Sequence, residues 1–239
     1  MALFRYDPEI VERFPAIVGG VLRSGAVRNG PATAELTEAF AEEQRAVLER
    51  LGETPLSEVP SLAAWRRAFR GFGVDPTAYR SAAEALLRRL TKQGSIPSIN
   101  TLVDIGNLVS IRYGLPVAMF DVGSVSGGLT VRFAKGDESF TDLGSGATER
   151  PEPGEVIFID EAGHVAARRW CWRQSAESAS SESTTEVLVT VEAHHDAARK
   201  DVDSAVADIE RLLHTFAATS LVLSGIVDAA SPTWTAGSS

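Results

Sequence analysis

The sequence is poor in cysteine, in histidine and in long apolar runs, and each shortage excludes a class of protein. Among its 239 residues there is one cysteine, Cys171, so no internal disulfide framework is possible and a cytoplasmic location is expected. One cysteine and four histidines provide no metal-ligand spacing, so we expect no metal. No stretch approaches the roughly 18 consecutive apolar residues of a transmembrane helix, so we expect no membrane partner. Glycine-rich runs such as GSVSGG precede no helical pattern, so no phosphate-binding loop and no cofactor is predicted.

Positive charge is also scarce, with 23 Lys and Arg residues against 32 Asp and Glu residues and a net charge of −9. This balance argues against bulk electrostatic capture of nucleic acid, and DNA is not an expected partner. Residues 61–100 are an exception, because they contain seven basic residues and two acidic ones. They predict a local basic face, whose candidate contacts to a nucleic-acid backbone are Arg66, Arg67, Arg70, Arg88, Arg89 and Lys92.

These cations have a second interpretation. Arg88, Arg89 and Lys92 fall in the last turns of a predicted helix, where the helix dipole favours cations. Glu84 can also pair with Arg88 at a spacing of four residues. The cluster at residues 66–70 has no acidic residue nearby, so it is the first candidate for contact with a nucleic-acid backbone.

The order of elements predicts an α+β fold in one domain spanning residues 1–239. Residues 14–30 are typical of a strand or hairpin. Apolar spacing and capping residues predict helices at 33–52, 61–73, 75–94 and 101–113. Short runs with strand propensity follow, and an amphipathic helix at about 200–224 closes the domain. For the third helix, Asp75 is the predicted N-cap, with Pro76 at the first helical position.

Residues 96–122, IPSINTLVDIGNLVSIRYGLPVAMFDV, are apolar but carry polar residues at regular intervals. In the helix predicted at 101–113, which Thr101 and Asp104 would begin as a capping box, Asn100, Asp104 and Asn107 share one face. This strip has two interpretations. It can line a ligand pocket, or it can provide caps and buried hydrogen bonds to neighbouring loops.

These residues resemble the B3/B4 (editing) domain of the phenylalanyl-tRNA synthetase beta subunit. The resemblance continues in GGLTVRFAKGDESFTDLGSG (127–146), in GEVIFIDEAGHVAARRW (154–170) and in TTEVLVTVEA (184–193). It covers about residues 60–200 and implies a β-rich core, a barrel or sandwich, flanked by N-terminal helices and a long C-terminal helix. The long helix after residue 200 and the absence of a synthetase module resemble the free-standing members of the family.

The resemblance implies a pocket for the aminoacylated 3′ end of tRNA and hydrolysis of mischarged tRNA in trans. Such a second site removes products that a synthesis site cannot discriminate well enough. No residue is a credible nucleophile, so a positioned water is expected to attack the ester without a covalent enzyme intermediate. The alternative is a non-catalytic module of the same fold that binds tRNA or an amino acid. The oligomeric state stays open.

Site residues follow by position in the family's motifs. Catalytic roles are expected for Asp104, Glu138 and Asn107. Substrate contacts are expected from Asn100, Pro116, Asp121, Arg132 and Arg173. Arg173 lies in RRWCWRQS (168–175), where arginine and tryptophan alternate and can stack a base, bind an anion or simply form a core face with a solvated rim. One departure bears on activity, because Ala118 stands where the synthetase family has a histidine two residues after the proline.

Overall fold

The structure, a computed structural model, describes residues 3–236. Its α-helices are α1 (Pro8–Arg13), α2 (Ala34–Leu51), α3 (Pro60–Gly71), α4 (Ala82–Gln93), α5 (Thr101–Tyr113) and α6 (Ala198–Phe216). Its strands are β1 (Phe4–Tyr6), β2 (Val18–Gly25), β3 (Val117–Asp121), β4 (Leu129–Phe133), β5 (Phe140–Thr141), β6 (Thr148–Glu149), β7 (Val156–Ile159), β8 (Val165–Arg168), β9 (Arg173–Gln174), β10 (Glu186–Ala193), β11 (Val222–Asp228) and β12 (Thr233–Trp234). Across the described range, no helix combines the length and apolarity needed to cross a membrane.

The strands form two main sheets and one short ribbon. The larger sheet has six strands in the order β12-β1-β4-β7-β8-β9, and the smaller has four in the order β11-β2-β10-β3. Strands β5 and β6 form the ribbon. Most pairings are antiparallel, but β1 pairs parallel with β4. The predicted α+β class is confirmed, and within residues 3–236 both main sheets remain open rather than closing into a barrel.

The four-stranded sheet is the middle layer of the molecule. Alternate side chains of a strand point to opposite faces, and β10 shows this clearly. Val187, Val189 and Val191 pack into the core cluster that includes α2, α4, α5 and α6. Leu188, on the other face, packs into the cluster formed with the six-stranded sheet, α1 and α3. The interior between the two sheets is therefore reached by the even-numbered residues of β10.

Helix α4 begins later than the sequence predicted. The predicted start at residue 75 is wrong, because Asp75 accepts a hydrogen bond from the Thr77 amide in a separate turn. Ser81 is the N-cap and accepts a hydrogen bond from the Glu84 amide. The predicted terminator is correct, since Gly94 adopts the left-handed conformation at the C-terminus.

The predicted closing helix at 200–224 is too long. Helix α6 ends at Phe216, and Ala218 has a φ of 53°, within the left-handed region, so the chain turns there. The following residues form β11, which pairs antiparallel with β2 along its whole length. The apolar residues from Val222 onward, which continue the helical pattern of the sequence, belong to this sheet instead, where β-branched side chains are favoured.

Candidate functional site

Three concave regions meet around residues 170–174, which follow β8. The first is an inner cavity of about 70 Å³ between the two sheets. The second is an outer cavity of about 270 Å³ between β3 and α5. The third is a basic groove of about 410 Å³ beside α4. Trp172 and Arg173 line both the groove and the inner cavity, and Gln174 lines both cavities, so the three regions are contiguous.

The inner cavity has apolar walls and one polar end. Phe120, Phe158 and Trp170 form part of its walls. Thr190 and Glu192 reach it because they occupy the face of β10 that points toward the six-stranded sheet. Both side chains are buried. A cavity of this composition holds an apolar group against the walls and a polar group at the β10 end.

Glu192 is a buried carboxylate in which one of the two oxygens accepts hydrogen bonds. Its Oε1 accepts hydrogen bonds from the Tyr6 hydroxyl at 2.8 Å and from Trp170 Nε1 at 3.1 Å. No donor within residues 3–236 contacts the other oxygen, Oε2. Burial raises the pKa of Glu192 to about 7, although the two hydrogen bonds favour ionisation. The carboxyl group therefore changes charge near neutral pH beside the cavity.

The backbone next to Glu192 is strained. Arg169 and Trp170 have φ angles of 45° and 60°, so two consecutive residues other than glycine lie in the left-handed region. The Trp170 amide donates to the Val156 carbonyl at 2.6 Å, which holds this turn against β7. Strain of this kind persists where the surroundings over-determine a conformation, and it is frequent at binding sites.

Cys171 also lines the inner cavity. Burial, and then the charge of Glu192, raise the pKa of the thiol well above its usual value. A thiol attacks as the thiolate, so this environment makes Cys171 a poor nucleophile.

The outer cavity contains part of the polar strip predicted on α5. Asn100 and Asn107 line it together with Gln174 and Ser180. Asn100 is also the N-cap of α5, because its side chain accepts a hydrogen bond from the Val103 amide. The Ser180 hydroxyl is buried without a hydrogen-bond partner, and Asn107 likewise makes no side-chain hydrogen bond to any residue in the described range. Asn107 therefore fits the interpretation that the strip lines a pocket, whereas Asn100 also fits the interpretation that it caps the helix.

Asp104, the third member of the strip, faces the start of its own helix instead. Its carboxylate accepts hydrogen bonds from the Ser98 hydroxyl and from the Ile99 amide, the latter at 2.9 Å. Burial raises its pKa, and these two hydrogen bonds oppose the rise. It lines neither cavity. The predicted capping box is wrong, because Asn100 rather than Thr101 is the N-cap, and Asp104 accepts from the Ile99 amide rather than from the Thr101 amide.

Glu138 and Arg132 form an ion pair in the hairpin after β4, with Oε1 and Nη1 2.6 Å apart. The Lys135 and Gly136 amides also donate to this carboxylate. Burial opposes ionisation of Glu138, but the backbone hydrogen bonds and Arg132 outweigh it and lower the pKa to about 2. Neither residue lines a cavity, so the structure does not bring this predicted pair to the α5 strip.

The remaining residues predicted to contact the substrate do not lie together in one site. Pro116 and Arg173 line the inner cavity. Arg173 forms an ion pair with Asp142 and lies over the Trp172 ring, 4.5 Å from its centroid. Asp121 lies outside the cavities, where it accepts hydrogen bonds from the Gly123 amide and from the Thr184 hydroxyl and so fixes a turn.

The six cations predicted to contact a nucleic-acid backbone also lie in different surroundings. Arg66 forms a two-pronged ion pair with Glu84, so the expectation that the 66–70 cluster lacks an acidic partner is wrong for this residue. Arg67 and Arg70 are exposed on α3. The suggested pairing of Glu84 with Arg88 is also wrong, because the partners of Glu84 are Arg66 and Arg80.

The basic groove takes its cations from two parts of the chain. Arg80, Arg88, Arg89 and Lys92 lie on α4 or just before it, and Arg173 comes from the opposite wall. No acidic side chain lines this groove.

Residues 3–236 contain no group of three or more His, Cys, Asp or Glu side chains that could hold a metal ion. His194 lies among the rings of Phe14, Trp65 and Trp170. Burial, followed by the charges of His195 and Arg67, lowers its pKa to about 3, so this partly buried imidazole is neutral near pH 7.

Sequence reasoning missed Glu192 and Thr190. Their signal lies in TTEVLVTVEA, where Thr190 and Glu192 alternate with valines in a strand that is otherwise apolar. Such a strand has both faces buried, so a polar residue within it needs a partner or a ligand.

Comparison with known proteins gives one family and a set of relatives. The B3/4 domain model matches residues 64–207. The phenylalanine–tRNA ligase beta subunit of Nocardia farcinica is 35% identical over 160 residues, which cover 66% of this chain and 17% of that subunit. The corresponding subunit of Mycolicibacterium paratuberculosis is 34% identical over 113 residues, 47% of this chain and 13% of the subunit.

A solved structure is also similar, the N-terminal fragment of the phenylalanyl-tRNA synthetase beta subunit from Pyrococcus horikoshii. It aligns with a TM-score of 0.46 at 10% identity, over 89% of this chain and 48% of that chain. The chain spans less than a fifth of the length of the two curated relatives described above.

Proposed function

Because the chain belongs to the B3/4 domain family, whose model covers residues 64–207, we propose that it binds the aminoacylated 3′ end of tRNA and hydrolyses mischarged aminoacyl-tRNA in trans. The relatives that share this segment are subunits of a tRNA ligase by name. A hydrolytic site for the aminoacyl ester improves accuracy where a synthesis site cannot separate similar amino acids.

The observation that carries this proposal is the free Oε2 oxygen of Glu192 at the inner cavity. A general base works best when its pKa is near the working pH, and the pKa of Glu192 is about 7. In the proposed reaction the ionised carboxylate accepts a proton from a water molecule as the water oxygen attacks the ester carbonyl. When the tetrahedral intermediate collapses, the bond to the ribose oxygen breaks and the protonated carboxyl group gives its proton to that oxygen. The Tyr6 and Trp170 hydrogen bonds hold the carboxylate in position through the other oxygen.

The Thr190 hydroxyl is the nearest candidate to stabilise the tetrahedral intermediate. It lines the cavity on the same face of β10 as Glu192, two residues away. No residue in the described part of the chain uses this hydroxyl in a hydrogen bond. One well-placed donor to a developing oxyanion contributes about 3–4 kcal/mol to catalysis. In this mechanism Asp104 and Glu138 fix loops around the site and do not contact the ester.

The size of the inner cavity suggests which aminoacyl groups it accepts. At about 70 Å³ it is less than half the volume of a cavity of about 150 Å³ that admits benzene. A small aliphatic side chain fits without rearrangement, whereas an aromatic side chain needs the walls to move. The larger outer cavity, with the Asn107 amide at its wall, accommodates the rest of the aminoacyl-adenosine end.

A second function is supported by Ala118. Its methyl group lines the inner cavity opposite Thr190, at the position where the resemblance predicts a histidine. Without that imidazole the cavity keeps its shape but has one fewer titratable group. The second candidate function is therefore binding of the aminoacylated end without hydrolysis.

A deacylation screen separates the two functions. The purified chain is incubated with a panel of tRNAs, each charged with a different amino acid, and the remaining ester is measured against a protein-free control. Hydrolysis of at least one mischarged tRNA, with small side chains preferred, supports the enzyme. Protection of the ester, or binding without a change in its lifetime, supports the binding module.

A further inference from the structure

Strand β11 is an edge of the four-stranded sheet that the rest of the described chain leaves open. The two main sheets have four edge strands, and two of these, β9 and β12, contain 2 residues each. The edge of β3 is covered, because the Asp121 amide donates to the Ser178 carbonyl at 2.9 Å and the Ser180 amide donates to the Met119 carbonyl at 3.3 Å. Strand β11 has 7 residues and pairs with β2 on one side. Within residues 3–236 it is therefore the longest edge without a neighbour.

The open edge of β11 presents backbone groups at alternate residues. The Leu221 carbonyl, just before the strand, accepts a hydrogen bond from Ser24 Oγ on β2 at 3.0 Å, whereas the Asp228 amide donates away from β2 to the Ser231 carbonyl at 3.2 Å. Because alternate residues direct their N–H and C=O groups to the same side, the even-numbered residues face the open edge. These residues are Val222, Ser224 and Ile226. In the described chain, residues 222–227 form no backbone hydrogen bond outside the pairing with β2.

The N-terminal half of this edge is apolar and exposed. The described chain has four exposed large hydrophobic side chains, and two of them, Leu221 and Leu223, lie here with 62% and 37% of their surface exposed. At Gly225 the strand is covered on one face by Trp234, since a Cβ atom there would lie 2.4 Å from the indole ring. Residues 220–227 include no charged residue and no proline, the residues that usually block an edge. The edge is therefore suited to pairing with another strand.

We propose that two copies of the chain associate through β11, which pairs antiparallel with β11 of the second copy about a two-fold axis beside Leu223. An open antiparallel edge is complementary to itself, because each outward N–H group of one copy meets a C=O group of the other. In this register the Leu223 side chains of the two copies face each other, with about 5 Å between their Cβ atoms. Leu221 lies diagonally across from Leu223 and extends the apolar contact, and Asp228 lies beyond the paired segment.

A second copy fits this edge better than an unrelated strand does. The edge has no charged side chain that would select a different sequence, whereas a second copy brings the same two leucines to the same face of the extended sheet. Once β11 is paired, the described chain has no other long open edge, so association stops at two copies instead of continuing into a fibre.

The dimer should be weak. A strand of 7 residues is about 24 Å long, and pairing two such strands buries an area at the low end of specific interfaces. Each copy has a net charge of −9, so repulsion opposes association, and added salt should strengthen it. The inner cavity is lined from β3 and β10, which β2 separates from β11. Pairing therefore leaves that cavity accessible and does not depend on the proposed function.

Sedimentation equilibrium from micromolar to millimolar protein concentration measures the association. Leu223→Lys and Leu223→Glu each place like charges directly across the axis, and the matched control Leu143→Lys makes the same change at an exposed leucine outside the edge. We expect each Leu223 variant alone to associate at least about tenfold more weakly than the unaltered chain, and the control within about a factor of two. An equimolar mixture of the two Leu223 variants should recover the dimer, which also shows that both are folded.

Cysteine cross-linking tests the register. In a Cys171→Ala background, Leu223→Cys places two thiols opposite each other at a separation that a disulfide spans. Ser224→Cys on the same edge places them diagonally, with about 7–8 Å between the two residues, which is too far for a disulfide. With oxidised glutathione as the oxidant, Leu223→Cys should give a much higher yield of linked dimer than Ser224→Cys.

Three results would overturn the pairing through β11. The first is an unaltered chain that stays monomeric at millimolar concentration or forms larger aggregates instead of dimers. The second is an equal loss of association in Leu143→Lys and Leu223→Lys. The third is an equal yield of linked dimer at the two cysteine positions. None of these measurements uses deacylation, so a failure of the proposed function leaves them unaffected.

Discussion

The carboxyl group of Glu192 lies in an apolar interior, and this position affects stability and chemistry in opposite directions. Burial raises its pKa from 4.5 to about 7, so the folded state binds a proton more tightly than the unfolded state. The free energy of unfolding therefore falls as pH rises from about 4.5 to about 7. The same shift supplies a base that ionises near neutral pH, which is what the proposed hydrolysis requires.

The first prediction is that Glu192→Gln stabilises the chain at alkaline pH. The amide oxygen can still accept the Tyr6 and Trp170 hydrogen bonds, and no buried charge forms. The rise of the pKa from 4.5 to about 7 corresponds to roughly 3 kcal/mol, as an upper limit, at pH 8.5 and to much less at pH 5. Urea unfolding of both proteins at the two pH values measures this difference. A stability difference that is the same at both pH values would contradict the raised pKa.

The second prediction concerns Cys171. If the chain hydrolyses aminoacyl-tRNA, Cys171→Ala should retain the single-turnover rate within about a factor of three, under ~0.7 kcal/mol of barrier. The reason is that the thiol pKa is raised by burial and by Glu192, so little thiolate forms. Loss of the rate in a folded Cys171→Ala protein, or a trapped aminoacyl-enzyme, would show that the reaction uses a covalent intermediate.

At the scale of elements, the contact between β2 and α6 depends on a residue without a side chain. A Cβ atom at Gly20 would lie 2.3 Å from a methyl group of Val206 and 3.0 Å from one of Val202, both on α6. It would also lie 2.9 Å from a methyl group of Val191 on the neighbouring strand. Helix α6 can approach the sheet closely because Gly20 leaves this space.

The third prediction follows from that contact. Gly20→Ala should destabilise the chain by about 1–3 kcal/mol, because an added methyl group overpacks a closed interface. Gly25→Ala is the matched control, since Gly25 is in the same strand and a Cβ atom there would meet nothing within 4 Å. Thermal unfolding of both variants measures the difference. Equal melting temperatures would mean that α6 moves away from the sheet at little cost.

The elements also show what sequence patterns can and cannot predict. Helix α2 was predicted almost to the residue, because Thr33 caps its start and Gly52 ends it locally. The start of α4 was misplaced because Asp75 and Pro76 are equally suited to an isolated turn. The predicted closing helix runs three residues into β11, because the partner of that strand, β2, lies about 200 residues away in the sequence, beyond any local pattern.

The same reasoning explains the site. Asn100 and Asn107 were predicted to share a surface because helical spacing alone places them there, and both line the outer cavity. The catalytic role of Glu138 is predicted from the family's motif, but in the structure Glu138 forms an ion pair with Arg132 away from both cavities. The junction of the inner cavity with the basic groove depends on Trp172 and Arg173 lining both regions, which is visible only in the folded chain.

At the scale of the whole molecule, the segment that matches the family model contains neither main sheet in full. Strands β2 and β11, half of the four-stranded sheet, lie outside residues 64–207. So do β1 and β12, which pair with each other and extend the six-stranded sheet. Removing them would expose the edge of β10 and the face of Glu192, and exposed edges of this kind promote aggregation.

The fourth prediction is that a fragment of residues 64–207 does not fold alone. The full chain should give one cooperative unfolding transition, as expected for a single domain, whereas the fragment should be insoluble or show no transition. Circular dichroism and denaturant unfolding of the two proteins, prepared in the same way, provide the comparison. A soluble fragment with a cooperative transition would show that the flanking strands are accessory.

The central claim, that Glu192 acts as the base at the inner cavity, is tested most directly by the pH dependence of deacylation. Single-turnover rates are measured between pH 5.5 and 8.5 for the unaltered chain and for Glu192→Gln, with a mischarged tRNA that the screen identifies and with the protein-free rate subtracted. The account predicts that the rate of the unaltered chain rises with pH and levels off above about pH 7, where Glu192 is ionised. It predicts that Glu192→Gln is at least about 100-fold slower and lacks this rise. A Glu192→Gln protein with the same rate and the same profile would contradict it.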